Sequence, residues 1–97
     1  MTVPNLSVTL ANTVAPSSAV MVQEVGGELV LLDLASEQYF GLDPVGTMIW
    51  KLLGTHGNLQ TVRDCIHAEF DAPLPQIEHD LLALVQQLVA AGLVTVQ

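Results

Sequence analysis

The chain has 97 residues, which is enough for one small domain and too short for two separate cores. Hydrophobic residues make up 51% of it, while ten acidic residues against two basic ones give a net charge of -8. Lys51 and Arg63 alone cannot neutralise the phosphates of a nucleic acid or an anionic membrane surface, so both kinds of partner are disfavoured.

The cysteine content and the apolar segments indicate where the protein works. One cysteine, Cys65, excludes an internal disulfide and leaves no pair of thiols for zinc. The longest apolar stretch, residues 81–94, is shorter than the roughly 20 residues that a membrane-spanning helix needs. Residues 1–23 contain no lysine or arginine and no continuous apolar segment, so they do not match a signal peptide. We expect a cytoplasmic protein.

The first half of the chain predicts a small antiparallel sheet. Residues 1–19 carry no charged side chain and predict an irregular arm, within which residues 6–10 alternate as a short edge strand would. Residues 20–25 and 29–34 are β-rich runs separated by Gly26 and Gly27, the pattern of a hairpin with a tight turn. Residues 38–42 follow a polar turn and predict a third strand. The three strands together predict a meander.

At residue 43 the pattern changes to a helical period. Asp43 is placed as the N-cap, Pro44 suits the first helical position, and Gly54 predicts the end of the first helix. A second helix is predicted from the turn at residues 56–58 to residues 71–73. These two helices follow directly on the strands.

A third helix is predicted from about residue 75 to residue 91. Its apolar side chains fill two neighbouring stripes, which is wider than one packing contact requires: Ile77, Leu81, Leu84 and Leu88, beside Leu82, Val85 and Val89. Residues 92–96 predict a β-like tail. Three strands followed by three helices predict an α+β, winged-helix-like domain over residues 20–97.

The third predicted strand is an edge that lacks the usual protection. Residues 38–42 contain neither a charge nor a proline, which are the residues that normally block pairing at an edge. Beside it, the third helix has a spare apolar stripe. We expect a groove between the two, in which an extended peptide adds a strand.

The candidates for chemistry are weak. Cys65 with His56, His67 or His79 could form a thiol–imidazole pair, but a lone helical cysteine is more often a small core residue. The histidines lack metal-ligand spacing, so we expect no metal and no cofactor. Asp80 has two interpretations: a carboxylate favoured by the helix dipole, or a clamp for a basic group on a bound peptide.

Two stretches of the sequence form a recognisable pattern. The first is residues 29–33 with residues 38–43, Val45, Gly46, Ile49 and Trp50, and the second is Asp80, Leu81, Leu84 and Leu88 with residues 92–94. In their order and spacing they resemble the PqqD-like family, also called RiPP recognition elements. Members of this family bind the leader segments of ribosomally made, post-translationally modified peptides and are not themselves catalysts. The motif YFGLD-x-VG at residues 39–46 is similar to that of stand-alone members of lasso-peptide pathways. It has Asp43 where the family most often has Asn.

The resemblance implies a winged helix-turn-helix that binds the leader as a fourth strand between the third strand and the third helix. Carried over by position, the groove residues are Gln38, Tyr39, Phe40 and Gly41 on the strand, and Asp80, Leu81, Leu84, Val85 and Leu88 on the helix. The resemblance implies that the protein has no enzyme activity of its own. It also implies that the protein presents the leader to a processing enzyme, which we expect to be a cysteine-type leader peptidase. The resemblance leaves the choice between monomer and dimer open.

Other functions stay open at this point. A peptide chaperone for pyrroloquinoline quinone biosynthesis fits the same family, and a non-catalytic winged-helix adaptor or regulatory protein fits the same fold. A DNA-binding winged helix predicts retention on DNA at low salt, which the lack of Lys and Arg on the third helix argues against. A thiol enzyme predicts loss of activity on Cys65→Ser.

Overall fold

In a computed structural model of the chain, residues 8–97 are described and form five strands and three helices. In chain order these are β1 (Val14–Pro16), β2 (Val20–Val25), β3 (Glu28–Asp33), β4 (Gln38–Gly41), α1 (Pro44–Thr55), α2 (Leu59–Glu69), α3 (Leu74–Ala90) and β5 (Val94–Val96). The expectation of a three-stranded antiparallel sheet followed by three helices is confirmed. The strand expected at residues 6–10 lies partly outside the described residues, and residues 8–10 form no strand.

The larger sheet has the order β2–β3–β4, and both of its pairings are antiparallel. Gly26 and Gly27 form the turn between β2 and β3 with φ angles of +62° and +86°. Positive φ at both central residues is the geometry of a type I′ hairpin turn, which glycine adopts at no steric cost. Within the described part of the chain, β4 pairs on one side alone, so its other edge is open.

The residues before β2 contribute more than the irregular arm expected from the sequence. β1 pairs with β5 in a second, two-stranded sheet, and the side chain of Val14 is buried in the core. The backbone N–H of Gln97 donates to the carbonyl of Thr13 at 2.7 Å. Because the two partners lie at opposite ends of the chain, no local turn pattern predicts their pairing.

The helix ends show which of the local signals are used. Asp43 caps α1 as predicted, accepting a hydrogen bond from the backbone N–H of Gly46 at 2.7 Å. The helix does not end at Gly54. It continues through Thr55 and ends before Gly57, whose φ is +73°. Glycine is tolerated inside a helix at a small cost, whereas the left-handed conformation after a helix selects for it.

The core lies between the larger sheet and the three helices. Leu31 of β3 packs there with Leu53 and Leu59 of the first two helices and with the buried side of α3, and Trp50 is also buried. Arg63 on α2 donates to Glu78 on α3 at 2.7 Å, an ion pair that joins the two helices at the surface. Hydrogen bonds to Glu78 and to Asp64 raise the pKa of the Arg63 guanidinium.

Candidate functional site

A cleft of about 440 Å³ opens between β4, the first two turns of α1 and the middle of α3. We call this cleft the groove. Its walls and floor are formed by Phe40, Gly41, Leu42, Asp43, Val45, Gly46, Ile49, Asp80, Leu84 and Gln87. The groove therefore lies where the sequence predicts one, between the third strand of the meander and the third helix.

Alternate residues of β4 direct their backbone N–H and C=O groups toward the open edge. The N–H of Leu42 donates to the carbonyl of Leu29 in the neighbouring strand at 2.9 Å, so Leu42 points its polar groups toward β3. In an antiparallel pair, consecutive residues point their N–H and C=O groups to opposite sides. Tyr39 and Gly41 consequently direct theirs to the free edge, where an added strand would find two donors and two acceptors.

The α3 wall of the groove consists of three side chains spaced along one face. Asp80, Leu84 and Gln87 are four and then three residues apart, which brings them into line on a helix. Both oxygens of the Asp80 carboxylate accept from the side-chain amide of Gln76, at 3.1 and 3.3 Å. This wall offers one apolar contact flanked by polar groups.

The position of Asp80 bears on its two interpretations. α3 begins at Leu74, so Asp80 is the seventh residue of the helix. The helix dipole acts within about the first turn, and it therefore does not account for a carboxylate at this position.

The floor of the groove is the start of α1. A Cβ atom on Gly46 would lie 3.2 Å from the Asp43 carboxylate and 3.3 Å from the Leu42 side chain. Contacts this short require neighbours to move, so a residue larger than glycine would disturb both the helix cap and the adjoining wall. Val45 and Ile49 give this floor an apolar surface.

Four of the nine residues predicted for the site line the groove: Phe40, Gly41, Asp80 and Leu84. Gln38 and Tyr39 are exposed on β4 outside the lining, and 73% of the surface of Tyr39 is open to solvent. Leu81, Val85 and Leu88 are 0% exposed and pack in the core, although Leu81 also borders a smaller apolar cavity of about 190 Å³ beside the groove. That these three residues contribute to binding stays a prediction. As buried residues they would contribute by holding α3 in position beside the groove.

Six residues of the lining were not among the predicted site residues: Leu42, Asp43, Val45, Gly46, Ile49 and Gln87. A signal for most of them was present, because a helix that begins at Pro44 directly after a strand must place its first turn at the end of that strand. Gln87 follows Leu84 by three residues, so helical periodicity alone places it on the same face.

The other candidates for chemistry lie outside the groove. The thiol of Cys65 on α2 is 3.7 Å from Nε2 of His56, which caps the end of α1, and neither residue lines the groove. Among residues 8–97, no three His, Cys, Asp or Glu side chains come together as a metal site would require. None of the helices described is both long enough and apolar enough to cross a membrane.

Comparison with known proteins assigns the chain to a family. The model for coenzyme PQQ synthesis protein D (PqqD) matches residues 28–94. The solved complex of TbiB1 with the TbiA(beta) leader peptide is similar at 36% identity and a TM-score of 0.78, covering 82% of this chain and 93% of TbiB1. Lasso peptide synthetase B1, solved with its leader peptide, has the same TM-score at 23% identity, with coverages of 86% and 98%, and shows a likeness of fold. None of the curated proteins matches. With a family match over more than half of its length, the chain belongs to the PqqD family.

Proposed function

We propose that this protein binds the leader segment of a ribosomally made precursor peptide in the groove, as a fourth strand on β4. The observation that carries the proposal is an edge of β4 that no strand within residues 8–97 pairs with, directly beside an open apolar cleft. An extended peptide satisfies both features at once, because its backbone pairs with the edge while alternate side chains enter the cleft. TbiB1, which is 36% identical over most of both chains, was solved in complex with a leader peptide.

The contacts available are sufficient for useful affinity. Each hydrogen bond to the backbone of Tyr39 or Gly41 contributes about 0.5–1.5 kcal/mol net. Each apolar leader side chain buried against Phe40, Ile49 or Leu84 contributes about 1.5–3 kcal/mol. Ordering a disordered peptide costs about 2–5 kcal/mol, which these contacts must offset. We expect a dissociation constant between roughly ten micromolar and ten nanomolar, which lies within the range that these contributions allow.

Charge adds a preference for one kind of leader. The carboxylates of Asp43 and Asp80 both border the groove, and the whole chain carries a net charge of -8. A basic leader residue next to Asp80 would gain from this field, whereas an acidic residue there would be repelled. The preferred leader is therefore extended, apolar at alternate positions and basic where it passes Asp80.

The role that follows from binding is delivery rather than catalysis. A leader held in the groove keeps the attached core peptide near any enzyme that associates with this protein, which raises the effective concentration of the substrate. We propose a leader peptidase of a lasso-peptide pathway as that enzyme. The family model's own description favours a second candidate, a peptide chaperone for pyrroloquinoline quinone biosynthesis. The 36% identity to TbiB1 favours leader binding as the shared step.

A titration tests the proposal directly. A fluorescent synthetic leader, taken from a short open reading frame beside the gene, is titrated with the protein, with a scrambled leader of the same composition as the control. We expect saturable binding of the leader at micromolar or lower concentration, unchanged when the core sequence is replaced. Equal binding of leader and scrambled peptide would contradict strand addition in a specific groove.

A further inference from the structure

Thr47 on α1 is a polar side chain that is almost completely buried, with 5% of its surface exposed. Its backbone N–H makes the first-turn hydrogen bond of α1 to the carbonyl of Asp43. Its hydroxyl points away from the helix, and the oxygen accepts a hydrogen bond from the backbone N–H of Leu29 at 3.0 Å. These two residues are 18 positions apart, so the contact joins α1 to the start of β3.

The Thr47 hydroxyl accepts a hydrogen bond that a backbone carbonyl of the neighbouring strand would accept in a regular sheet. The pairing of Val30 with Gly41 puts Leu29 opposite Leu42, one step beyond the end of β4. A regular antiparallel pair of this kind has two backbone hydrogen bonds, and one is present: the N–H of Leu42 donates to the carbonyl of Leu29 at 2.9 Å. In place of the second, the N–H of Leu29 donates to Oγ1 of Thr47, which lies 3.5 Å from the carbonyl of Leu42.

The hydrogen bond between Leu29 and Thr47 lies next to the groove, where β4 passes into α1. Leu42, Asp43 and Gly46 line the groove, while Thr47 itself does not. A single hydroxyl thus connects the end of the open edge strand, the strand behind it and the helix that forms the floor. The chain passes from strand to helix within the two residues that separate Gly41 from Pro44, so this connection lies where β4 and α1 join.

We propose that Thr47 is a positioning residue for peptide binding, holding the β4 edge at the angle to α1 at which the groove accepts an added strand. The inference rests on the proposed function. Without the hydroxyl, the buried N–H of Leu29 loses its partner and the strand end is free to take other angles. A protein that is binding-competent for only a fraction of the time has its dissociation constant raised by the inverse of that fraction.

Three substitutions separate the hydroxyl from the shape of the side chain. Thr47→Val keeps the volume and branching but removes the hydroxyl, Thr47→Ser keeps the hydroxyl, and Thr47→Cys provides a weaker acceptor. Val62→Ala is the matched control, because Val62 is fully buried on α2 and does not line the groove. Each variant is titrated with the fluorescent leader at a temperature where its thermal melt shows it folded.

We expect Thr47→Ser to bind within about twofold of wild type and Thr47→Val to bind about tenfold more weakly, the loss expected if one molecule in ten keeps the angle. Val62→Ala should melt at least as early as Thr47→Val yet bind the leader within twofold of wild type. In amide exchange measured by NMR, the Leu29 N–H should be protected in wild type and Thr47→Ser and should exchange quickly in Thr47→Val.

The outcomes distinguish the inference from the function on which it rests. Binding by Thr47→Val within twofold of wild type would show that Thr47 is structural alone and overturn the inference. Weakened binding by Val62→Ala in proportion to its lower stability would do the same. If Thr47→Val does not fold, equal affinities for Thr47→Cys and Thr47→Ser would overturn it. Failure of the wild-type protein itself to bind the leader overturns the proposed function, and the inference with it.

Discussion

β4 and α3 face each other across the groove, and they differ in how the core holds them. On α3, Leu81, Val85 and Leu88 are 0% exposed, while Leu84 on the same helix reaches the groove. On β4, by contrast, Phe40 is the one residue that is partly buried. The helix therefore offers side chains fixed by packing, and the strand offers backbone groups fixed by its neighbour β3. Substitutions on the two walls should therefore impair the protein for different reasons, through lost packing or side-chain contact on α3 and through lost backbone pairing on β4.

The largest effect is expected on the buried side of α3. Leu81→Ala removes a fully buried side chain and should lower the free energy of unfolding by about 2–5 kcal/mol, measured by urea denaturation. Leu82→Ala, at a partly exposed position of the same helix, is the control and should cost less than half as much. Equal losses for the two variants would contradict the placement of Leu81 in the core and of Leu82 at its margin.

On the groove side of α3, binding should be lost while folding is kept. Leu84→Asp puts a charge where an apolar leader side chain is expected to pack, and we expect a loss of affinity of about 100-fold or more. Leu82→Asp is the matched control, because Leu82 is also packed partly against the core but does not line the groove. Titration and a thermal melt of both variants give the comparison, and similar affinities for the two would refute the proposed position of the peptide.

On β4 the backbone should matter more than the side chain. Tyr39→Pro removes the N–H that points to the free edge without removing a bond to β3, and the affinity should fall about tenfold. Tyr39→Ala keeps that N–H and removes a side chain that is 73% exposed, so it should change the affinity less than threefold. If the alanine variant loses as much as the proline variant, binding uses the tyrosine ring rather than the strand edge.

The smallest effect is expected for charge. Asp80→Asn keeps the shape of the side chain and should weaken binding of a leader with a basic residue by up to about fivefold, since an exposed ion pair contributes about 0.2–1 kcal/mol. The loss should shrink in high salt. Asp71→Asn makes the same change of net charge away from the groove and is the control. A loss of equal size for Asp71→Asn would point to the total charge rather than to a contact with Asp80.

Local signals predicted the parts of the fold that depend on neighbouring residues. The turn at Gly26 and Gly27 and the cap at Asp43 are each determined within four residues, and both form as expected. The pairing of Val14 with Val96 joins residues at opposite ends of the chain, and nothing in either short segment specifies the other. Local patterns therefore predict an irregular arm where the structure has β1.

The site was predicted to the level of elements and less well to the level of side chains. β4 and α3 do flank the groove, and Phe40 and Leu84 line it. α3, however, carries apolar residues on two stripes, and periodicity cannot say which of them the sheet will cover. Val85 is buried in the same core as Leu31 and Leu53, so its inward position is decided by tertiary contacts.

The pairing of β1 with β5 also has a consequence for folding kinetics. The hairpin of β2 and β3 and the passage from β4 into α1 need only short loops to close, whereas β1 and β5 must wait for the rest of the chain to bring them together. We expect β1–β5 to form after the rate-limiting step. Substitutions there should then speed unfolding and leave the refolding rate nearly unchanged.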